Sequence, residues 1–420
     1  MNLEQALEKL YSLHQFGVKL GLEKPKKLFE FIGNPQNDLK CVHIAGSNAK
    51  GSVASFISSI LIEDGFKVGL YTSPHFVKFN ERIRINGVMI EDEYIAKFIN
   101  EMNDYIDENE PTFFELTTAM AFKYFKEKEV DFAVIETGLG GRLDATNVID
   151  PIVSVITTIS LEHTNILGNK LEQIAYEKGE IIKKKRKAIV GLLPPEAEKV
   201  IVKKASSVQA ELFKLKDFVS IKNDHIRLAL SSGQINIYKT PLVGFYQLKN
   251  AALAVLTVDQ SIKLSDTNSI FRGIDRVLQN SGLQGRYEIY HESPRVIFDS
   301  SHNEEGITNF ISEFKNELHN YEKKEIIFGV MKDKDIRKML VQFDKHFDKI
   351  YVTTFDYERA ATIEQITKIA GEIGIKTEPI LEPHLYIRNF IKESQNKCLI
   401  ILGSIYLLGD IKTKLLNEKT

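Results

Sequence analysis

Val42-His43-Ile44-Ala45-Gly46-Ser47-Asn48-Ala49-Lys50-Gly51-Ser52 passes from a β-branched apolar run into small residues that end on a lysine and a serine. That is the composition of a phosphate cradle. After a buried strand, small residues let the backbone curl so that successive N–H groups face one anion, and the helix that follows adds its positive end. Gly46, Asn48 and Gly51 shape the loop, Lys50 can reach the β- and γ-phosphates of a nucleotide, and the Ser52 hydroxyl can hold Mg²⁺. The common pattern has Gly immediately before the lysine, whereas this chain has Ala49. Ala fits there only if its φ is negative; a positive φ would strain it.

Working outward, a helix over residues 52–63, a turn at Gly65 and a strand Val68–Tyr71 complete the strand–loop–helix–strand context that this motif requires. Further strands are expected at Cys41–Ala45, Phe132–Glu136, Ile152–Ile159 and Ala188–Gly191, with helices at Glu115–Lys126 and Leu171–Ile182. These strands are apolar throughout rather than on alternate residues, which predicts a parallel sheet covered on both faces. From Leu212 to Tyr238 the pattern shortens and alternates, with turns at 222–224 and 231–233, and reads as a small antiparallel insertion.

Glu292-Ser293-Pro294 interrupts the series, and a second one begins with Arg295–Asp299 and continues at Glu325–Val330, Lys349–Thr354 and Cys398–Gly403. The expected architecture is α/β: a P-loop-type, mostly parallel sheet domain over 1–293, then a smaller Rossmann-like domain over 294–420. A chain of 420 residues is long enough for two cores.

Hydrophobic residues form 43% and charged residues 27% of the chain, the balance of a soluble globular protein. The net charge of −2 gives no general attraction to nucleic acid or to a membrane surface, so anion binding must be local. Lys183-Lys184-Lys185-Arg186-Lys187 could be a basic patch, but a solvated helix end with cations at its negative pole explains it as well. Cys41 and Cys398 read as buried free thiols of a cytoplasmic protein, and neither has metal-ligand spacing. No apolar run approaches the length that spans a bilayer, and residues 1–7 read as an acidic amphipathic helix start rather than a signal.

Several other clusters fall at strand ends. Glu136 closes an apolar strand and opens the Gly-rich run Thr137–Asn147, the place where a carboxylate of an open α/β sheet faces its ligand crevice and can bind Mg²⁺. His163 follows another strand and could be a metal ligand or a satisfied core histidine. Lys178 lies in the next helix, where a lysine is ordinarily solvated. Gln247 and Asn250 open a helix with amides able to read the edge of a base. Arg286 precedes the boundary and can reach phosphate, and Asp299 to His302 end the first strand of the second domain.

In order, these segments resemble the Mur ligase superfamily, specifically its folate branch, the folylpolyglutamate and dihydrofolate synthases. The likeness rests on H-I-A-G-S-N-A-K-G-S at 43–52, Y-T-S-P-H-F at 71–76, F-N-E-R-I at 79–83 and E-T-G-L-G-G-R-L-D-A-T-N at 136–147. It continues with E-H-T-N-I-L-G at 162–168, E-K-G-E-I at 177–181, Q-L-K-N-A-A at 247–252, G-R at 285–286, D-S-S-H-N at 299–303, G-V-M-K-D-K-D at 329–335 and G-S-I-Y-L at 403–407. The motifs span nearly the whole chain, and their fixed order is far more specific than any one of them. Departures from the family pattern are Ala49 for Gly, Glu162 for Asp, Ser300-Ser301 for Gly-Ala and Gly179-Glu180 for Ala-Gly.

The resemblance implies an ATP-dependent ligase that joins L-glutamate to a folate or to dihydropteroate through an acyl phosphate, acting as a cytoplasmic monomer. It implies Lys50 on the β- and γ-phosphates, and Ser52, Ser73 and Glu136 around a first Mg²⁺. It further implies His163 and a carbamylated Lys178 at a second metal, Asn250 and Gln247 on the nucleotide, and Arg286 on its phosphates. Asp299 and His302 would act from the C-terminal, glutamate-ligase domain, with closure of the domains excluding water, and residues 72–84 would line the pterin pocket. Two other readings stay open: a Mur-type ligase of cell-wall precursors, and a nucleotide-binding homologue without turnover.

Overall fold

The computed structural model describes residues 1–13, 21–222, 225–393 and 396–417. Two compact units emerge. The first comprises Met1–Pro74, Asn80–Pro241 and Leu248–Leu283; the second comprises His75–Phe79, Leu242–Gln247 and Gln284–Thr420.

The sheet of the first unit is formed by β1 (Cys41–Ala45), β2 (Val68–Tyr71), β3 (Ile83–Ile85), β4 (Val88–Met89), β5 (Phe132–Glu136), β6 (Val153–Ile156), β7 (Lys187–Val190) and β8 (Glu211–Lys214). Their order is β4-β3-β2-β5-β1-β6-β7-β8, parallel except for the β2–β3–β4 edge. Every residue of β1, β2, β5 and β6 is buried, as continuous apolar runs demand. The helix Lys50–Glu63 leaves β1 and is buried nearly all round, with Ser59 Oγ donating to Gly273 O at 2.6 Å.

Where the elements depart from expectation, local hydrogen bonds give the reason. The helix expected from Glu115 starts at Phe113, because Thr112 Oγ1 accepts the Glu115 N–H at 3.2 Å and Glu115 Oε2 accepts the Thr112 N–H at 2.7 Å. Strand β6 stops at Ile156 rather than Ile159, since residues 157–160 turn to hold the P-loop. The helix that starts at Leu171 ends at Gly179, a poor helix former, short of Ile182. The basic run 183–187 does not form a solvated helix end. Lys183 Nζ donates to Asn147 Oδ1 at 2.7 Å, Arg186 pairs with Asp150, and Lys187 opens β7.

The antiparallel insertion is smaller than 212–238, because Glu211–Lys214 joins the main sheet beside β7. It consists of β9 (Val219–Ile221), β10 (Ile226–Leu230) and β11 (Gly233–Ile237). Of the turn expected at 222–224, residues 223 and 224 lie outside the described residues.

The second unit has six strands: β12 (Glu288–His291), β13 (Arg295–Asp299), β14 (Lys323–Phe328), β15 (Lys349–Val352), β16 (Glu378–Pro379) and β17 (Lys397–Leu402). They run in the order β12-β13-β17-β14-β15-β16, with β12 antiparallel to β13 and the others parallel. Because β12 pairs with β13 across the Glu292-Ser293-Pro294 break, that break is a hairpin turn of the second unit, and the units divide between Leu283 and Gln284. Apolar clusters cover both faces of this sheet, one including Phe310, Phe314, Phe328 and Phe343, the other Phe298, Leu407, Leu408 and Ile411. Each such side chain contributes roughly 1.5–3 kcal/mol by leaving water.

Candidate active site

The P-loop lies between β1 and the helix Lys50–Glu63, and its backbone is fastened to the segment after β6. Ser47 N–H donates to Thr158 O at 2.8 Å, Asn48 N–H to Thr158 Oγ1 at 2.9 Å, and Thr157 Oγ1 to Asn48 O at 2.6 Å. Gly46 is required by close approach: a Cβ there would fall 1.8 Å from Thr157 Oγ1. Ala49 has φ 68° and ψ −1°, so the residue that replaces glycine sits in the left-handed region and carries strain.

Two lysines converge on one carbonyl. Lys50 Nζ and Lys178 Nζ each donate to Gly46 O at 3.0 Å. Lys178 is 2% exposed and pairs with the buried Glu162 at 2.8 Å. Burial pushes the Lys178 amine below its ordinary range, against the attraction of Glu162. Burial would raise Glu162, but the positive charges of Lys178, Lys50 and His163 outweigh it and hold this carboxyl down at about 2. His163 has φ 46°, a second left-handed residue in this corner. Lys50, His163, Lys178 and Gly46 are therefore brought together, and the family departure Glu162 is what neutralises Lys178.

Glu136 approaches the same loop from β5. Its Oε2 accepts the Ser73 N–H at 3.1 Å, and a Cβ built on Gly51 would lie 3.7 Å from it. Ser52, which follows Gly51, is 1% exposed. A carboxylate beside serines 52 and 73 is a set of hard oxygen donors suited to Mg²⁺. Among the described residues no group of three or more His, Cys, Asp and Glu could hold a metal alone, so these donors fit an ion that keeps waters and takes its remaining ligands from phosphate. Lys178, as an ammonium paired with Glu162, offers no lone pair to a metal.

Sequence reasoning missed the residues that fasten this corner. Asp144 closes the Gly-rich turn after Glu136, its Oδ2 accepting Gly138 N–H at 2.9 Å and Leu139 N–H at 2.8 Å. Its position eight residues after the strand-end carboxylate Glu136 was the available signal. Thr157 gave none.

In the second unit, Asp299 is buried and accepts the Tyr287 N–H at 2.7 Å and the Ser301 N–H at 2.8 Å. Burial raises its carboxyl, opposed by these bonds and by Arg286. Arg286 donates to Gly285 O at 3.1 Å and to Ser300 Oγ, and His302 Nδ1 lies 2.9 Å from Ser300 O, which fixes the tautomer with the proton on Nδ1. Arg286, Asp299 and His302 thus share one loop cluster. Gln247 and Asn250 lie on the helix Phe245–Ser261, Gln247 in the second compact unit and Asn250 in the first. The stretch 72–84 is divided too: Phe76 belongs to the second unit, packed so that a Cβ on Gly285 would lie 2.2 Å from its ring. In the first unit Asn80 Nδ2 donates to Ile90 O at 2.8 Å, and Arg82 lies over the Phe113 ring at 5.0 Å. Cys41 and Cys398 are free and buried, and burial pushes the Cys41 thiol up to about 12. No helix among the described residues is long and apolar enough to cross a membrane.

A P-loop facing a strand-end carboxylate, on a parallel sheet followed by a second α/β unit, defines a nucleotide-dependent enzyme of two domains. Residues 44–258 match the Mur ligase middle domain and residues 285–405 the Mur ligase glutamate ligase domain. The chain belongs to the Mur ligase family, in its folylpolyglutamate synthase/dihydrofolate synthase branch. It is 36% identical to the dihydrofolate synthase/folylpolyglutamate synthase of Bacillus subtilis, over 96% of each chain. It is 29% identical to the folylpolyglutamate synthase of Lacticaseibacillus casei over the whole of both. Among solved structures it is similar to E. coli FolC in complex with DHPP and ADP, with a TM-score of 0.88, 29% identity and coverage of 100% and 99% of the two chains. It is also similar to the Yersinia pestis bifunctional folylpolyglutamate synthase/dihydrofolate synthase complexed with AMPPNP and Mn, with a TM-score of 0.86, 27% identity and coverage of 99% and 98%.

Proposed function

We propose that the chain is an ATP-dependent ligase that adds L-glutamate to a reduced folate, to dihydropteroate, or to both. The observation that carries this reading is the Glu136 carboxylate set between the Ser73 N–H and Gly51 of the P-loop. There it can share Mg²⁺ with Ser52 while Lys50 meets the phosphates. The substrate carboxylate attacks the γ-phosphate of ATP, forming the C–O–P bond of an acyl phosphate and releasing ADP. The amine of glutamate then attacks the acyl carbon, forms the amide and expels phosphate, losing a proton. Negative charge develops in both steps, so the work of the site is positioning and charge stabilisation. Magnesium, when bound, supplies a Lewis acid on the phosphate oxygens.

The chain's own groups divide this work. Lys178 holds the Gly46 carbonyl, so Lys50 can exchange that partner for a phosphate without leaving the carbonyl bare. Asn250 and Gln247 hold the nucleotide, and Arg286, Asp299 and His302 serve from the second unit. Burial lowers the Lys178 amine against the attraction of Glu162, and a carbamate formed there with CO₂, in place of that ion pair, would supply the second metal ligand beside His163.

The test is ADP release by the purified chain with ATP, Mg²⁺ and L-glutamate, once with dihydropteroate and once with tetrahydrofolate. A glutamylated product with either acceptor supports the reading. ADP release only with a UDP-linked peptide acceptor, or none with any acceptor despite ATP binding, would overturn it. The carbamate is tested by ¹³C NMR in ¹³C-bicarbonate, where a carbamate resonance absent from Lys178→Met is expected.

A further inference from the structure

Strand β1 is apolar apart from His43, which is fully buried. Its Nε2 lies 2.8 Å from Thr146 Oγ1. That hydroxyl donates its own proton to Asp144 Oδ1 at 2.5 Å, so it accepts from His43, and the ring carries its proton on Nε2. Asp144 Oδ1 also takes the Thr146 N–H at 3.0 Å, and its Oδ2 takes the N–H groups of Gly138 and Leu139. Four donors on one carboxylate leave it only one role, the fixing of the turn that follows Glu136.

The other ring nitrogen, His43 Nδ1, is buried with no hydrogen-bond partner. An unmet buried polar atom costs about 1–3 kcal/mol, which an apolar residue in this otherwise apolar strand would not incur. The compensation His43 does have is directed: its single hydrogen bond goes to Thr146, which sits on the carboxylate that fixes the turn after Glu136.

We propose that His43 is a positioning residue: through Thr146 and Asp144 it sets the Gly138-Leu139 turn and so aims the Glu136 carboxylate at the P-loop. The linkage is direct in the sheet, because Ile44 is registered against Glu136 and its carbonyl accepts the Thr137 N–H at 2.9 Å. The two strands fix the height of Glu136, and the relay fixes the direction in which the chain leaves it. Burial, with the charge of Lys183 nearby, holds His43 neutral, which suits a single-proton donor. This rests on the reading of Glu136 as a metal ligand.

The experiment measures Mn²⁺ binding to the full chain in the presence of AMPPNP, by the electron paramagnetic resonance signal of free Mn²⁺, together with thermal melting. His43→Leu, which keeps volume and removes the donor, is expected to weaken Mn²⁺ binding about tenfold, at a cost near 1.4 kcal/mol. His43→Gln, which returns an N–H donor at similar reach, is expected to restore it to within about threefold. If His43→Leu does not fold, Thr146→Val against Thr146→Ser decides the same question. Equal Mn²⁺ affinity in wild type and the donor-lacking variants, or equal loss in Leu and Gln variants, overturns the relay alone. Failure of the wild-type chain to bind Mn²⁺ with AMPPNP overturns the reading of Glu136 as well.

Discussion

The P-loop corner of the first unit and the Asp299 loop of the second are both built at the ends of parallel strands, yet they use their charges in opposite ways. Around the P-loop, Lys50 and Lys178 share the Gly46 carbonyl, Lys178 pairs with Glu162 and Glu136 accepts the Ser73 N–H, so a ligand can exchange into bonds that are already made. Around Asp299, the carboxylate is taken by the N–H groups of Tyr287 and Ser301 and acts as a brace for its own loop. Left-handed backbone is common to both, at Ala49 and His163 in the first and at Tyr287 in the second, so what separates them is how their charges are engaged. The second makes a rigid mount from which Arg286 and His302 project. A strand-end carboxylate is therefore not by itself a ligand; what its oxygens already accept decides.

The sharpest way to break this contrast is to remove one member of the buried pair. Lys178→Met leaves Glu162, at 5% side-chain exposure, without its ion-pair partner and is expected to destabilise the first unit by about 3–5 kcal/mol, read from denaturant midpoints. Replacing both, Lys178→Met with Glu162→Leu, is expected to recover most of that stability while ADP release stays lost. A double variant that regains turnover would show that the pair is scaffolding only.

The acid limb of stability next separates two buried groups within the first unit. The His43 imidazole is pushed down to about 3 in the folded chain, mainly by burial and further by Lys183, against 6.5 when unfolded. Its contribution is complete above 6.5 and is lost as pH falls toward 3, at up to about 1.4 kcal/mol per pH unit. His43→Gln is expected to flatten urea-midpoint profiles between pH 6 and pH 4. Glu162, held at about 2 rather than 4.5, loses its contribution in the lower window from 4.5 to 2, so the two can be told apart. An unchanged slope above pH 4.5 in His43→Gln would sink the assignment of a neutral buried ring.

In the second unit the smaller test is Asp299→Asn. An amide has one acceptor oxygen, so one of the N–H groups of Tyr287 and Ser301 must face an NH₂, at about 1–3 kcal/mol. The first unit's Mn²⁺ affinity is expected to stay unchanged, which tests the claim that this carboxylate is a brace.

Much of this was legible in the sequence because burial on both faces forces unbroken apolar strands: Cys41–Ala45, Val68–Tyr71, Phe132–Glu136 and Arg295–Asp299 appear as read. Short strands such as the three-residue Ile83–Ile85 and the edge strand Glu288–His291 carry no such pattern, and the second of these moved the division between units upstream. In the site, groups that ligands touch announce themselves by charge at strand ends. Groups that hold backbone leave less trace: Thr157 acts through a long-range hydrogen bond with no spacing rule, and Asp144 through local bonds inside its own Gly-rich turn. The sign of φ at Ala49 was undecidable from residue type alone, because the same loop composition suits either value.

That residue gives the finest comparison. With φ at 68°, the alanine methyl costs about 1–2 kcal/mol relative to a relaxed backbone, and part of this is offset because alanine loses less chain entropy on folding than glycine does. Ala49→Gly is therefore expected to gain about 0.5–1 kcal/mol, a rise in Tm near 2 °C for a domain of this size. The nucleotide affinity should change little, because the loop already has the conformation that glycine would prefer; the strain is borne by the apo protein and the complex alike. A larger gain in ATP affinity than in stability would mean that the loop reaches this φ only with nucleotide bound. The strain at position 49 would then belong to binding, in the same way as the exchangeable charges around it.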